Sequence, residues 1–70
     1  MKITDAKSYG EAIRKRRKEL GYTQAYLAEF TGFSVSFISD LERGKATAEI
    51  GKSIYLAKLL EMDLCMENRG

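Results

Sequence analysis

The tripeptide Gly32-Phe33-Ser34 restricts the fold more than any other stretch, because it joins two helical segments with almost no chain between them. Upstream, Thr23 is a good helix N-cap for a short segment from Gln24 to about Thr31. Downstream, Ser34 caps a second segment that reaches Arg43, with Gly44 as its left-handed exit. The join is too tight for two antiparallel helices lying side by side. Gly32 supplies a positive φ, Phe33 drops into the core, and Ser34 restarts the chain in a new direction. Ala28, one turn before the corner, is small enough to let the two helices approach closely.

Four such features at this spacing make residues 24–43 a helix-turn-helix. Around it the chain reads as further helices. Ser8 and Glu11 have capping-box spacing, so a first helix begins at Ser8 or up to one turn earlier, near Thr4 or Asp5. It runs to Leu20 and stops at Gly21. Thr47 opens a fourth helix, about Ala48 to Glu61, with Ile50, Ile54, Ala57 and Leu60 as its core residues. In "MDLCME", Leu64 and Met66 alternate with Cys65 and Glu67. Residues 64–70 are thus either one side of a short strand, paired with a second copy of the chain, or a frayed tail. The expected fold class is all-α, a compact domain of four to five helices over residues 1–70.

Catalysis has little to work with. The chain has no histidine and one cysteine, Cys65. It shows no paired-cysteine metal site, no phosphate-cradling glycine loop and no serine near a plausible base. No enzyme activity, catalytic residue, metal or cofactor is expected. A lone cysteine fits a reducing cytoplasm, and the sequence shows no signal-peptide pattern and no apolar run long enough to span a bilayer. Net charge is only +2, yet residues 1–18 hold Lys2, Lys7, Arg14, Lys15, Arg16, Arg17 and Lys18 against Asp5 and Glu11. Such a segment suits an anionic partner or a solvated helix face equally well.

Two charges fall where apolar residues belong. On the first helix Tyr9, Ile13 and Leu20 form the buried stripe, and Arg17 lies about 40° from Ile13 at roughly 100° per residue. On the third, the stripe is Ser34, Ile38 and Leu41, and Glu42 is offset from Ile38 by the same angle. Buried charges are tolerated when paired, so Arg17 and Glu42 are expected to meet across the core. Arg14, Lys15 and Lys18 then point outward and Arg16 flanks the stripe, which turns "RKRRK" into a girdle rather than one patch.

"LGYTQ", "LAEFTGFS" and "ISDLERGK" resemble the XRE or Cro-type helix-turn-helix family of repressors, over about Tyr9 to Leu64. Within it, "AIRKRRK", "DLERGKATAEIGK" and the tail after "LLEMDL" look most like HipB-like antitoxins, a pattern shared in part with restriction-modification controller proteins. The resemblance implies a lambda-repressor-like fold and a homodimer on a palindromic DNA operator, with a kinase-type toxin as partner. Thr23 and Gln24 match the phosphate-contacting helix start, while Ser34, Val35, Ser36 and Ser39 match positions facing the major groove. Arg43, Lys45 and Thr47 match positions gripping the backbone beyond the helix, and Arg17 with Glu42 matches an internal ion pair. Leu64 and Met66 match a strand at the dimer interface. Val35 stands where Gln or Arg is frequent, and Glu61 where many relatives place Gly.

The outward face of the third helix is Ser36, Ser39, Asp40 and Arg43, with Val35 and Phe37 at its margins. Serine hydroxyls discriminate bases weakly, Val35 suits a thymine methyl, and Asp40 either accepts from cytosine N4 or repels phosphate. A rival reading keeps the corner as a scaffold for a protein partner, favoured by an exposed Phe37 and the acidic Asp40. Gln24, Arg43 and Lys45 together favour DNA, and the resemblance implies a bacterial-type regulator acting in the cytoplasm at the nucleoid.

Overall fold

Asp5 starts the first helix. In the computed structural model, which describes residues 2–70, α1 spans Ala6–Glu19 with Asp5 as its N-cap. Asp5 Oδ1 accepts from the Ser8 N–H at 2.8 Å, and the Ser8 hydroxyl oxygen accepts from the Asp5 N–H at 3.1 Å. The capping box is therefore Asp5 with Ser8, not Ser8 with Glu11 as the spacing suggested. A carboxylate satisfies the first-turn N–H groups with full charge and complements the helix dipole, which a serine hydroxyl does less well. The Ser8 N–H holds the Asp5 carboxyl below the usual carboxylate range.

Helices α2 (Gln24–Thr31) and α3 (Val35–Glu42) follow with the caps read from sequence. Thr23 Oγ1 accepts from the Tyr26 N–H and Ser34 Oγ from the Phe37 N–H, each at 3.0 Å. Gly32 takes φ 79°, a left-handed conformation that ends α2 and turns the chain. Ser34, placed above on the buried stripe of α3, is instead its exposed cap.

Helix α4 spans Ile50–Leu59, two residues later than expected at its start. Glu49 rather than Thr47 is the cap, because its two oxygens accept from Gly51 N–H at 2.9 Å and Lys52 N–H at 2.7 Å. Each N–H has its own carboxylate oxygen, and the full negative charge complements the helix dipole, which a threonine hydroxyl would not. The other end closes earlier than Glu61, which takes φ 61° and lies past the cap Leu60. Glu61 N–H donates to the Lys58 carbonyl and Met62 N–H to the Ala57 carbonyl, each at 3.0 Å, the Schellman pattern that glycine usually serves.

The core is Ile13 from α1, Leu27 from α2, Ile38 and Leu41 from α3, and Leu56, Ala57 and Leu60 from α4 and its cap. Ile50 and Ile54, expected inside, are 73% and 37% exposed. Ser53, Leu56, Ala57 and Leu60 form the inward i, i+3, i+4, i+7 stripe, and Ile54 lies about 100° round from Ser53. Two polar contacts tie α1 to α4: the Tyr9 hydroxyl donates to the Ser53 carbonyl, and Arg16 Nε to the Leu60 carbonyl at 3.0 Å. Where α1 crosses α3, Gly10 lets backbone meet backbone, since a Cβ there would strike the Leu41 carbonyl and lie 2.8 Å from that of Glu42.

Residues 64–70 form no strand within the chain, and Leu64 and Met66 are 47% and 100% exposed. Among the described residues no helix is long and apolar enough to cross a membrane.

Candidate DNA interface

The Arg17–Glu42 pair fixes α3, and α3 carries the candidate reading face. Arg17 Nε donates to Glu42 Oε2 at 2.7 Å and Nη2 to Oε1 at 2.9 Å, a fork-to-fork contact. The side chains are only 10% and 2% exposed. Arg17 Nη1 also donates to the Tyr22 carbonyl at 2.9 Å, so the pair fastens the α1–α2 turn as well. Hydrogen bonding to Glu42 raises the pKa of Arg17, whose guanidinium is charged in any case. Among the described residues no buried side-chain polar atom lacks a partner.

Gln24 is half-buried, and its Nε2 donates to Glu42 Oε1 at 3.0 Å. The first side chain of α2 is thus anchored to the core ion pair rather than projecting freely into solvent. Thr23 is exposed beside it, its hydroxyl oxygen engaged as the cap.

On α3, Val35 and Ser36 are exposed and Ser39 and Asp40 half-buried. Phe37, expected to be exposed, is half-buried: its ring meets Phe33 edge-on at 5.5 Å, and Phe33 meets Tyr55 at 5.9 Å. Lys52 Nζ lies 5.5 Å from the Phe33 ring and 5.6 Å from that of Phe37. The i, i+4 spacing of the two phenylalanines was visible in sequence, but the lysine that covers them comes from α4.

Beyond α3 the chain folds back on Asp40. Arg43 Nη2 is 2.8 Å from Asp40 Oδ1, and Lys45 Nζ is 3.6 Å from Oδ2. The backbone N–H groups of the same two residues donate to the Asp40 carbonyl at 3.2 and 3.0 Å. Arg43, then Lys45, hold the Asp40 carboxyl below its usual range. Thr47 is exposed two residues further on. Sequence reasoning treated Asp40 and the two cations as separate contacts, and the structure brings them together. Leu64 and Met66 belong to another surface, a groove of about 400 Å³ shared with Ile50 and Ile54. No group of His, Cys, Asp or Glu among the described residues could hold a metal ion.

Comparison with known proteins fits this architecture. The family described as Helix-turn-helix matches residues 13–65. An uncharacterised HTH-type transcriptional regulator of Sinorhizobium fredii, y4mF, is 43% identical over 51 residues, covering 73% of this chain and 67% of that protein. Another, from Haemophilus influenzae, is 31% identical over 64 residues, covering 91% of this chain and 63% of that protein. The chain therefore spans about two-thirds of the length of these relatives. Two HipB structures, an O2 20mer complex of a serine-to-alanine variant and an O4 20mer complex, each share the fold with a TM-score of 0.87. They are 23% and 21% identical and align with 100% of this chain and with 97% and 99% of their own. The chain belongs to the helix-turn-helix family of the XRE/Cro type, DNA-binding transcriptional regulators rather than enzymes.

Proposed function

We propose that this chain acts as a dimeric repressor or antitoxin-type autoregulator that reads a palindromic duplex operator. The observation that carries the reading is the Gly32 corner, which leaves Val35 and Ser36 exposed on α3 ahead of the cationic turn of Arg43 and Lys45. The 20mer complexes of HipB, carried over to this chain, support an operator as partner.

Arg43, Lys45 and Thr47 grip phosphates, and the N-terminus of α2 receives another through its free N–H groups and dipole. Gln24 keeps one amide hydrogen on Glu42 and offers the second to that phosphate, so the contact is coupled to the core ion pair. Ser36 and Ser39 read base edges with little discrimination and Val35 packs on a thymine methyl. Selectivity then depends on DNA shape and on half-sites about 34 Å apart, one duplex turn.

Selection from a randomised duplex pool tests this directly. An inverted repeat is the expected product, and a pool without two-fold symmetry would end the sequence-specific reading. Lys45→Ala should weaken binding to every duplex by a similar factor and flatten the salt slope by roughly one unit, whereas Ser39→Ala should alter the selected sequence.

Leu64 and Met66 pair with their mates in the second copy, over the groove that Ile50 and Ile54 leave open. Removing residues 64–70 should therefore halve the mass measured in solution and leave only half-site binding. A dimer that survives the truncation rules out that role.

A second reading, in which the chain also binds a kinase-type toxin, is favoured by Tyr26 and Phe30, 49% and 61% exposed on α2. Their rings continue from Tyr22 at 5.1 and 6.2 Å spacings, a row of aromatic surface suited to a protein partner. A kinase-like neighbouring gene favours this role over that of a restriction-modification controller.

A further inference from the structure

The arrangement around Asp40 has an unusual economy. One residue holds both cations expected on the DNA backbone, with a separate carboxylate oxygen for each, and its main-chain carbonyl receives both of their N–H groups. The pairs are open to water, the Arg43 and Lys45 side chains being 73% and 55% exposed. Exposed pairs of this kind add little to folding stability. Their consequence lies in the charge presented at the interface, where Asp40 cancels part of what Arg43 and Lys45 would offer a duplex.

We propose that Asp40 is a specificity-determining residue: it is the counter-ion of Arg43 and Lys45 in the free protein, and it is compensated on DNA only where an exocyclic base amine faces it. The inference rests on the DNA-binding reading above. On any duplex the two cations leave Asp40 for phosphates. On most sequences the carboxylate is then stranded beside a phosphate backbone of the same sign, and binding weakens. Where cytosine N4 or adenine N6 faces the groove at its position, the carboxylate exchanges its cations for a base donor. Asp40 thus works by penalising the wrong duplex more than by holding the right one.

Asp40→Asn separates these effects. The amide is the same size, keeps an oxygen for Arg43 and leaves the main-chain bonds untouched. Affinity would be measured, as a function of salt, for the duplex selected by the wild type and for a random-sequence duplex. On random duplex the variant should bind about tenfold tighter with a salt slope steeper by roughly one unit. On the selected duplex the gain should be under about threefold, so the specificity ratio falls. Asp40→Glu, which retains the charge, should keep the random-duplex affinity at the wild-type level. Equal tightening on both duplexes would reduce Asp40 to general repulsion and overturn the proposal. Equal weakening, or no change, would overturn it by showing a role confined to the turn. If the wild type binds neither duplex, the DNA-binding reading itself falls.

Discussion

Arg17→Ala is expected to remove about 3–5 kcal/mol of folding stability, because it leaves Glu42 charged and buried without its partner. The Glu42 side chain is 2% exposed, and three donors reach it: Arg17 Nε at 2.7 Å, Arg17 Nη2 at 2.9 Å and Gln24 Nε2 at 3.0 Å. The substitution removes two of the three, together with the bond to the Tyr22 carbonyl. In a domain of 60–100 residues each kcal/mol moves Tm by about 4–8 °C, so the melt should fall by tens of degrees. The pair itself is a different quantity. Arg17→Met combined with Glu42→Leu strands no charge and should recover most of the loss, since an apolar replacement of a buried pair is often neutral. Recovery should stop short of complete, because the Tyr22 carbonyl and the Gln24 amide lose partners that leucine and methionine cannot replace. Thermal or urea unfolding of the wild type, Arg17→Met, Glu42→Leu and the double variant closes the cycle. An Arg17→Ala loss near zero would show that the pair does not fasten α1 to α3.

What could be read from sequence is what local chemistry decides. Thr23, Gly32 and Ser34 each act within a few residues of themselves, and the bounds Gln24–Thr31 follow from them alone. Arg17 and Glu42 are far apart in the chain, but their helical angles placed both at the edge of the core, and charge left each with one suitable partner. Choices between neighbouring candidates were harder. Thr47 and Glu49 can both cap a helix, and the decision fell to the carboxylate able to accept two N–H groups. The inward stripe of α4 is centred on Ser53, Leu56 and Leu60, and Ala57 fits that phase as well as the expected one, so the packing leaves Ile50 and Ile54 off it. The Asp40 cluster needed one further step. Its i, i+3 spacing to Arg43 is visible in sequence, but Lys45 reaches back only because Gly44 reverses the chain at φ 91°.

Gly10 left no local signal at all, and the sign of its substitution separates two effects. Within α1, Gly10→Ala gains about 1 kcal/mol of helix propensity, so α1 considered alone predicts a more stable protein. Packing opposes this. The added Cβ would strike the Leu41 carbonyl and lie 2.8 Å from the Glu42 carbonyl, which are backbone atoms at the end of α3 with no rotamer to change. Relief requires α1 to lift from α3, and the Arg17–Glu42 fork lies on the same contact. Overpacking costs about 1–3 kcal/mol and occasionally more, and a clash against two carbonyls with an ion pair behind them belongs at the upper end. Gly10→Ala should therefore lower the urea midpoint by a net loss on the order of 2 kcal/mol, with the slope unchanged. A raised midpoint would mean that the two helices can part without cost, and that α3 is held less firmly than base reading requires. A lowered midpoint with weakened binding to the selected duplex, measured where the variant is still folded, would place the glycine among the determinants of the reading face although it touches no DNA.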